Sequence, residues 1–160
     1  MRVGIGFDVH ALKRGESLII GGVHIPSESG LKGHSDADVL THALIDALLG
    51  AMGRGDIGQH FPDQDEQYKD ISSLLLLERV YNLLSAEDYK INNIDLIIMA
   101  ESPKMTPYYE EMKENYSRVL KLDKSRINLK ATTTEKLGFI GRKEGIAAQA
   151  IVSLAEFEGR

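Results

Sequence analysis

The 160-residue chain contains no cysteine, which excludes disulfides, thiolate metal sites and cysteine nucleophiles. Any metal must therefore be held by His, Asp and Glu: zinc where nitrogen dominates, magnesium or manganese where oxygen does. Long apolar runs are missing too. The run around Leu74–Leu77 is broken by Glu78 and Arg79, and the one from Leu96 to Ala100 by Glu101, both far short of the roughly 20 residues a bilayer-spanning helix needs. Nor is there an excess of positive charge. A formal net charge of −5 argues against a broad nucleic-acid footprint, although a bound divalent ion would reverse the local field for a small anion. The first strand begins almost at once, so the expectation is a protein without a signal or transit peptide, cytoplasmic or organellar and already trimmed.

What is present is an ordinary globular composition, 42% hydrophobic and 27% charged, in a length suited to one domain, residues 1–160, with its own core. Repeats, linkers and low-complexity segments are absent from the sequence. Residues 2–9 alternate, with Val3, Ile5, Phe7 and Val9 against Arg2, Gly4, Gly6 and Asp8, which predicts a half-buried strand. Gly21-Gly22 between Leu18–Ile20 and Val23–Ile25 predicts a hairpin. After a polar segment, Ser35 is the expected N-cap of a helix with Asp36 and Asp38 in its first turn, a stripe from Val39 to Ala51 and an end near residues 50–55.

Residues 55–69 read as loop, 70–86 as helix and Ile91–Ala100 as strand. Thr106-Pro107 opens a helix to about Leu122, and Ile127–Ala131 is a short strand. Gly145–Phe157 fits strand or helix, with strand preferred because it closes the chain after a glycine-bounded loop. The order predicts an α/β fold, helices packed on a mixed sheet.

Chemistry gathers first at Gly6-Phe7-Asp8-Val9-His10. On a strand, Asp8 and His10 share one face and Phe7 and Val9 the other. On the following helix Asp38, His42 and Asp46 are four apart and share a face, so His42 meets Asp8 and His10 while Asp46 orients an imidazole from behind. Two His and one Asp leave a tetrahedral ion one open position, as at a catalytic zinc. Spacing alone is equally compatible with separate surface or capping residues. His24 and His60 receive no metal role. Residues 55–65 form a Gly- and Asp-rich loop suited to close approach to a phosphorylated or polyhydroxylated ligand, or to a solvated connection. Residues 100–106 leave a strand for a helix, where ligand crevices form in α/β sheets; a capped turn is equally natural there. Thr132, Thr133 and Thr134 with Glu135 suit phosphate oxygens and a magnesium shared with them, though a Thr run is also ordinary strand chemistry. Arg142 and Lys143 suit a further anion or simply solvent.

In this order, G-F-D-V-H, H-S-D-A-D-V, G-D-I-G, F-P-D-x-D, A-x-x-P-K-M and T-T-T-E-K-L-G-F closely resemble the 2-C-methyl-D-erythritol 2,4-cyclodiphosphate synthase family over essentially the whole chain. The resemblance implies a homotrimer with active sites between subunits. The implied activity lies in the non-mevalonate route to isoprenoid precursors: 4-diphosphocytidyl-2-C-methyl-D-erythritol 2-phosphate is cyclised and CMP released. It implies Zn2+ on Asp8, His10 and His42, and Mg2+ or Mn2+ on Glu135 at the diphosphate. Ala100, Glu101, Ser102, Pro103, Lys104, Met105 and Thr106, with Thr132, Thr133, Thr134 and Glu135, would cradle cytidine and phosphates. His34, Ser35, Asp56, Ile57, Gly58, Phe61, Pro62, Asp63, Gln64 and Asp65 would hold the methylerythritol phosphate, and Asp8, Val9, His10, Phe139 and Arg142 would also bind substrate. His34 and Thr133 match positions credited with stabilising the transition state. Phe7, Phe139 and Arg142 would line a central cavity for an isoprenoid diphosphate. Glu101 and Ser102 fill variable positions and Thr106 stands where an apolar residue is common, which touches only nucleotide contacts.

The implied chemistry suits the physics. A phosphate nucleophile is already ionised at neutral pH, so charge repulsion and chain folding oppose reaction rather than proton removal. Two divalent ions and a grip on both ends of the substrate address both, the proximity part reaching about 7–11 kcal/mol in well-oriented cases. The rival readings are a zinc-dependent phosphodiesterase that admits water, and a non-catalytic trimer that binds isoprenoid diphosphate. Neither nucleic acid nor membrane is an expected partner.

Overall fold

The structure is a computed structural model that describes residues 1–62, 64–68 and 70–156. The chain opens with β1 (Arg2–Arg14). The expected hairpin follows as β2 (Ile19–Ile20) and β3 (Val23–His24), with Ile20 paired to Val23. Gly21 and Gly22 both have positive φ, 60° and 70°, the backbone that a two-residue turn between twisted strands demands. β4 (Ser29–Leu31), in the segment read from sequence only as polar, pairs with the far end of β1.

α1 (Val39–Met52) ends at Gly53, left-handed at φ 73°, inside the expected range. Its N-cap is Asp38 and not Ser35. Ala37 at φ 54° breaks any helix running back to residue 35, and the Asp38 side chain accepts from the Thr41 N–H at 3.0 Å. Fully buried Asp38 also accepts from Gly21 N at 2.9 Å, Gly22 N at 2.7 Å and Thr41 Oγ1 at 2.7 Å, tying the hairpin to the start of α1. Burial, with Asp36 nearby, pushes its carboxyl up.

The stretch expected as loop contains α2 (Ile57–His60) and a 3-10 turn, Glu66–Tyr68. Then come α3 (Ser73–Ala86), β5 (Tyr89–Met99), a 3-10 turn carrying Pro107, α4 (Tyr109–Leu120), β6 (Ile127–Thr132), α5 (Gly138–Gly141) and β7 (Gly145–Glu156). Phe157, the expected end of the last strand, lies outside the described residues.

The main sheet has the order β4-β1-β7-β5-β6. β5 and β6 are parallel and the other neighbours antiparallel, so the sheet is mixed, as expected. A parallel pair needs a crossover, which α4 supplies. The closing segment is a strand at the middle of the sheet, and its inward residues Ile146, Ala148, Ala150, Val152 and Leu154 are fully buried.

The alternation in β1 is present, but the face covered by the chain itself is the glycine face. A Cβ on Gly4 would lie 1.9 Å from the Ala47 carbonyl oxygen, and one on Gly6 1.9 Å from that of Ala43. α1 thus lies directly on the β1 backbone, a contact only glycine permits. Val3, Ile5, Phe7 and Val9 point the other way and remain 43–62% exposed. Gly6→Ala is expected to destabilise the fold by at least about 2–3 kcal/mol, because backbone on both sides must shift. Chemical unfolding checks this; an unchanged midpoint would mean that β1 and α1 can separate freely.

Candidate functional site

The glycine face of β1 continues past Gly6 to Asp8 and His10. There the sheet meets the first turns of α1, and His42 closes the group. Asp8 Oδ2 lies 2.9 Å from His10 Nε2 and 3.1 Å from His42 Nδ1, and the two ring nitrogens are 3.2 Å apart. One ligand atom from each residue falls within 4.8 Å of the others. Two imidazole nitrogens and a carboxylate oxygen on one point suit zinc. His10 Nδ1 faces the Lys32 carbonyl at 3.0 Å, leaving Nε2 toward the group.

Burial works to raise the Asp8 carboxyl, but hydrogen bonds and charge from His10 and His42 outweigh it and hold it well below the usual carboxylate range. For His10, burial lowers the pKa while the hydrogen bond and charge of Asp8 raise it further, and the net shift is upward. In metal-free protein these shifts set a window. A lowered carboxylate stabilises the fold above its ordinary pKa and loses this as pH falls. A raised imidazole stabilises below its ordinary pKa and loses this as pH rises through the folded value. The pair therefore contributes most between about pH 4 and about pH 6.5. With chelator present, the Tm difference between wild type and His10→Gln is expected to be largest in that window and to shrink above it. A difference that grows toward alkaline pH would contradict the pairing.

The group sits in a cavity of about 280 Å³ whose walls include Asp8, His10, His34, Ser35, His42, Ile57, Gly58 and Phe61. His34 Nε2 is buried there without a hydrogen-bond partner among the described residues, the state of a group facing a ligand. Asp56 caps α2 by accepting from Gln59 N at 3.0 Å, which presents Ile57 and Gly58 to the cavity. Asp46 does not support an imidazole, contrary to the expectation from spacing. It accepts from Ile57 N at 2.7 Å and so anchors α2 against α1. Behind His42 stands Ser73 instead, its Oγ 2.8 Å from Nε2. Sequence reasoning missed this serine; its one signal was its place at the start of an apolar helix. It also missed Gly33, Tyr68 and Leu76, which complete the wall.

Other expected residues fall elsewhere. Val9 is on the opposite face of β1, beside Ala147. Pro62 and Gln64 are exposed, and Asp65 accepts from its neighbour Gln67 N at 3.1 Å. Asp63 lies outside the described residues. Ala100, Glu101, Pro103, Lys104, Met105, Thr106, Thr132 and Thr133 line a second recess of about 280 Å³ that shares no residue with the first. Ser102 borders the next recess with Lys143. Glu101 Oε1 accepts from the Thr134 and Lys136 amides at 3.1 Å each, fastening the 100–106 turn to the Thr run. Glu135 is left-handed at φ 52° and accepts from Thr133 Oγ1 at 3.1 Å. Phe139 is 40% exposed, and Arg142 pairs with Glu144 through two contacts of 3.0 and 3.1 Å.

The model of the YgbB family matches residues 1–155. A curated relative from Halothermothrix orenii, a 2-C-methyl-D-erythritol 2,4-cyclodiphosphate synthase, is 69% identical over 98% of this chain and 94% of its own length. The synthase of the same name from Desulfitobacterium hafniense is 60% identical over 98% and 99%. Among solved structures, bifunctional IspDF from Campylobacter jejuni superposes with a TM-score of 0.94 at 48% identity; the match covers 98% of this chain and 42% of that longer one. The CDP complex of IspF from Plasmodium falciparum superposes with a TM-score of 0.85 at 35% identity, over 97% of this chain and 96% of the other.

Proposed function

The chain belongs to the YgbB family, and from that premise we propose that it performs the 2-C-methyl-D-erythritol 2,4-cyclodiphosphate synthase reaction. 4-Diphosphocytidyl-2-C-methyl-D-erythritol 2-phosphate is cyclised: an oxygen of the 2-phosphate forms a bond to the β-phosphorus, the bond from that phosphorus to the CMP oxygen breaks, and CMP leaves. Residues 1–160 act as one catalytic domain. The observation that carries the reading is the convergence of Asp8, His10 and His42 in a cavity where His34 Nε2 has no partner among the described residues.

Asp8, His10 and His42 hold zinc, and Glu135 holds magnesium or manganese at the diphosphate. Bound there, the two ions supply positive charge against the substrate's phosphates, which an acidic chain otherwise lacks. The protein's own groups do the rest. His34 and Ser35, the Ile57 and Gly58 segment pinned by Asp46, and the 61–65 segment orient the methylerythritol phosphate. Residues 100–106, fastened to Thr134 through Glu101, hold the cytidine. Thr133 turns its hydroxyl, which now donates to Glu135, toward the phosphoryl oxygens where charge develops.

One substrate must touch both recesses, yet within one chain they share no lining residue. This supports active sites between subunits, with the metal group from one chain and the cytidine recess from the next. The uncovered Val3, Ile5, Phe7, Val9 and Ile151 face supplies the junction of a homotrimer. Phe7 and Phe139, with Arg142, then face a central cavity for an isoprenoid diphosphate. Among the described residues no helix is long and apolar enough to cross a membrane, in keeping with a cytoplasmic enzyme.

Incubation with the cytidine-diphosphate substrate, zinc and magnesium is expected to yield the cyclic diphosphate and CMP by mass spectrometry. The open-chain 2,4-bisphosphate with CMP would make the protein a phosphodiesterase, and no turnover would leave a binding trimer. Glu135→Gln is expected to keep its zinc and lower cyclisation about 100-fold. Full activity in that variant would remove Glu135 from the diphosphate site.

A further inference from the structure

We propose that Asp36 and Ser73 are positioning residues that lock the tautomer of His42, so that Nδ1 always offers its lone pair to the metal. The proposal rests on the zinc reading above. His42 lies on α1, Ser73 is the first residue of α3, and Asp36 stands in the turn that precedes α1. The three meet behind the metal group. His42 Nε2 is 2.8 Å from Ser73 Oγ, while Nδ1 on the opposite side of the ring is 3.1 Å from Asp8 Oδ2. The Asp36 carboxylate accepts from both donors of Ser73: its backbone N–H, at 2.9 Å, and its hydroxyl.

Proton bookkeeping does the rest. A carboxylate is an acceptor only, and a serine hydroxyl has one proton. That proton is committed to Asp36, so only lone pairs of Ser73 Oγ remain to face His42. From this side Nε2 carries the hydrogen, and a neutral imidazole protonated at Nε2 has its lone pair on Nδ1. Asp8 Oδ2, 3.1 Å from Nδ1, is an acceptor too and draws a proton there unless a metal ion engages that carboxylate. Ser35 Oγ is also 3.1 Å from Nε2, but among the described residues no carboxylate accepts its proton, so it can donate or accept and selects neither tautomer. Ser73 is fully buried, so water does not compete for the contact. Asp36 is itself fixed. Its N–H donates to the Ile71 carbonyl at 3.2 Å and its Oδ1 accepts from Asp38 N at 3.3 Å. It also stands in as the cap of α3, because Ser72 makes no side-chain capping bond.

Since Asp36 has this structural duty, the test must read something capping alone would not move. In chelator-treated Asp8→Ala protein labelled with 15N-histidine, which lacks the carboxylate that draws a proton to Nδ1 in the metal-free site, and at a pH where the imidazoles are neutral, His42 is expected to show a protonated Nε2 and an unprotonated Nδ1. Its signals are assigned by their loss in His42→Ala. Ser73→Ala keeps the backbone N–H that Asp36 caps but removes the hydroxyl. It is expected to fold, to show mixed His42 tautomers, and to bind zinc about 10- to 100-fold more weakly in competition with a chromophoric chelator. Asp36→Asn is expected to move both readouts in the same direction. His42 protonated at Nδ1 in the Asp8→Ala protein, or a Ser73→Ala substitution that leaves tautomer and zinc affinity unchanged, would overturn the proposal. If the Asp8→Ala protein shows the expected tautomer and yet wild type binds no zinc, the metal reading falls while the lock stands.

Discussion

His42→Ala is expected to empty the metal site and abolish cyclisation while leaving the protein folded. Zinc held by four ligands in small domains is worth about 10–16 kcal/mol, so one ligand carries about 3 kcal/mol, roughly a 100- to 1000-fold loss of affinity. Asp8 and His10 alone then hold zinc too weakly to survive dialysis. The fold persists because His42 belongs to the rim of the cavity, whereas the packing of α1 on the sheet runs through Ala43, Ala47 and Ala51 against Gly4 and Gly6. Metal analysis of the dialysed protein and product formation are the two readouts. Wild-type zinc content in His42→Ala would end the assignment of Asp8, His10 and His42 as its ligands.

The second large effect concerns the uncovered face of β1. Ile5→Asp places a carboxylate where Ile5, 62% exposed in the single chain, would be buried in a trimer. An unpaired charge at such a junction costs several kcal/mol. The chain should therefore remain folded, become monomeric by light scattering and lose cyclisation, because the metal group and the cytidine recess come apart. An active monomer would show that one chain contains a whole site. Mixing offers an independent check. When His42→Ala and Glu135→Gln chains are unfolded together and refolded, every mixed trimer has one boundary where an intact metal group meets an intact Thr132–Glu135 loop. About a quarter of wild-type activity should return from an equal mixture. Recovery no greater than the summed parents would place both halves of the site in one chain.

Both predictions depend on features that differ in how far they could be read from the sequence. Asp8 and His10 were legible as a pair because a strand's period of two is a property of its own backbone, and His42 joined them through helical spacing and the order of the motifs. Gly21-Gly22 announced its turn for a similarly local reason. Asp46 misled because spacing says which residues share a helix face, not what passes over that face. α2 passes there, and its Ile57 amide takes the carboxylate. Ser35 misled as a cap because residues 34–38 are held by contacts with the start of α3 that lie 37 residues away for Asp36 and Ser73.

The sequence by itself determined the α/β class and the hairpin, and it brought Asp8, His10 and His42 together as a group able to hold a metal ion, since each follows from local periodicity, turn chemistry or the order of the motifs. Tertiary structure alone decided which face of β1 is covered, because alternation is symmetric until α1 is seen resting on Gly4 and Gly6. It alone decided that Ser73 and Asp36 stand behind His42, and that the two recesses lie apart in one chain. Those facts depend on how distant segments meet, and nothing in the local chemistry of either segment records the meeting.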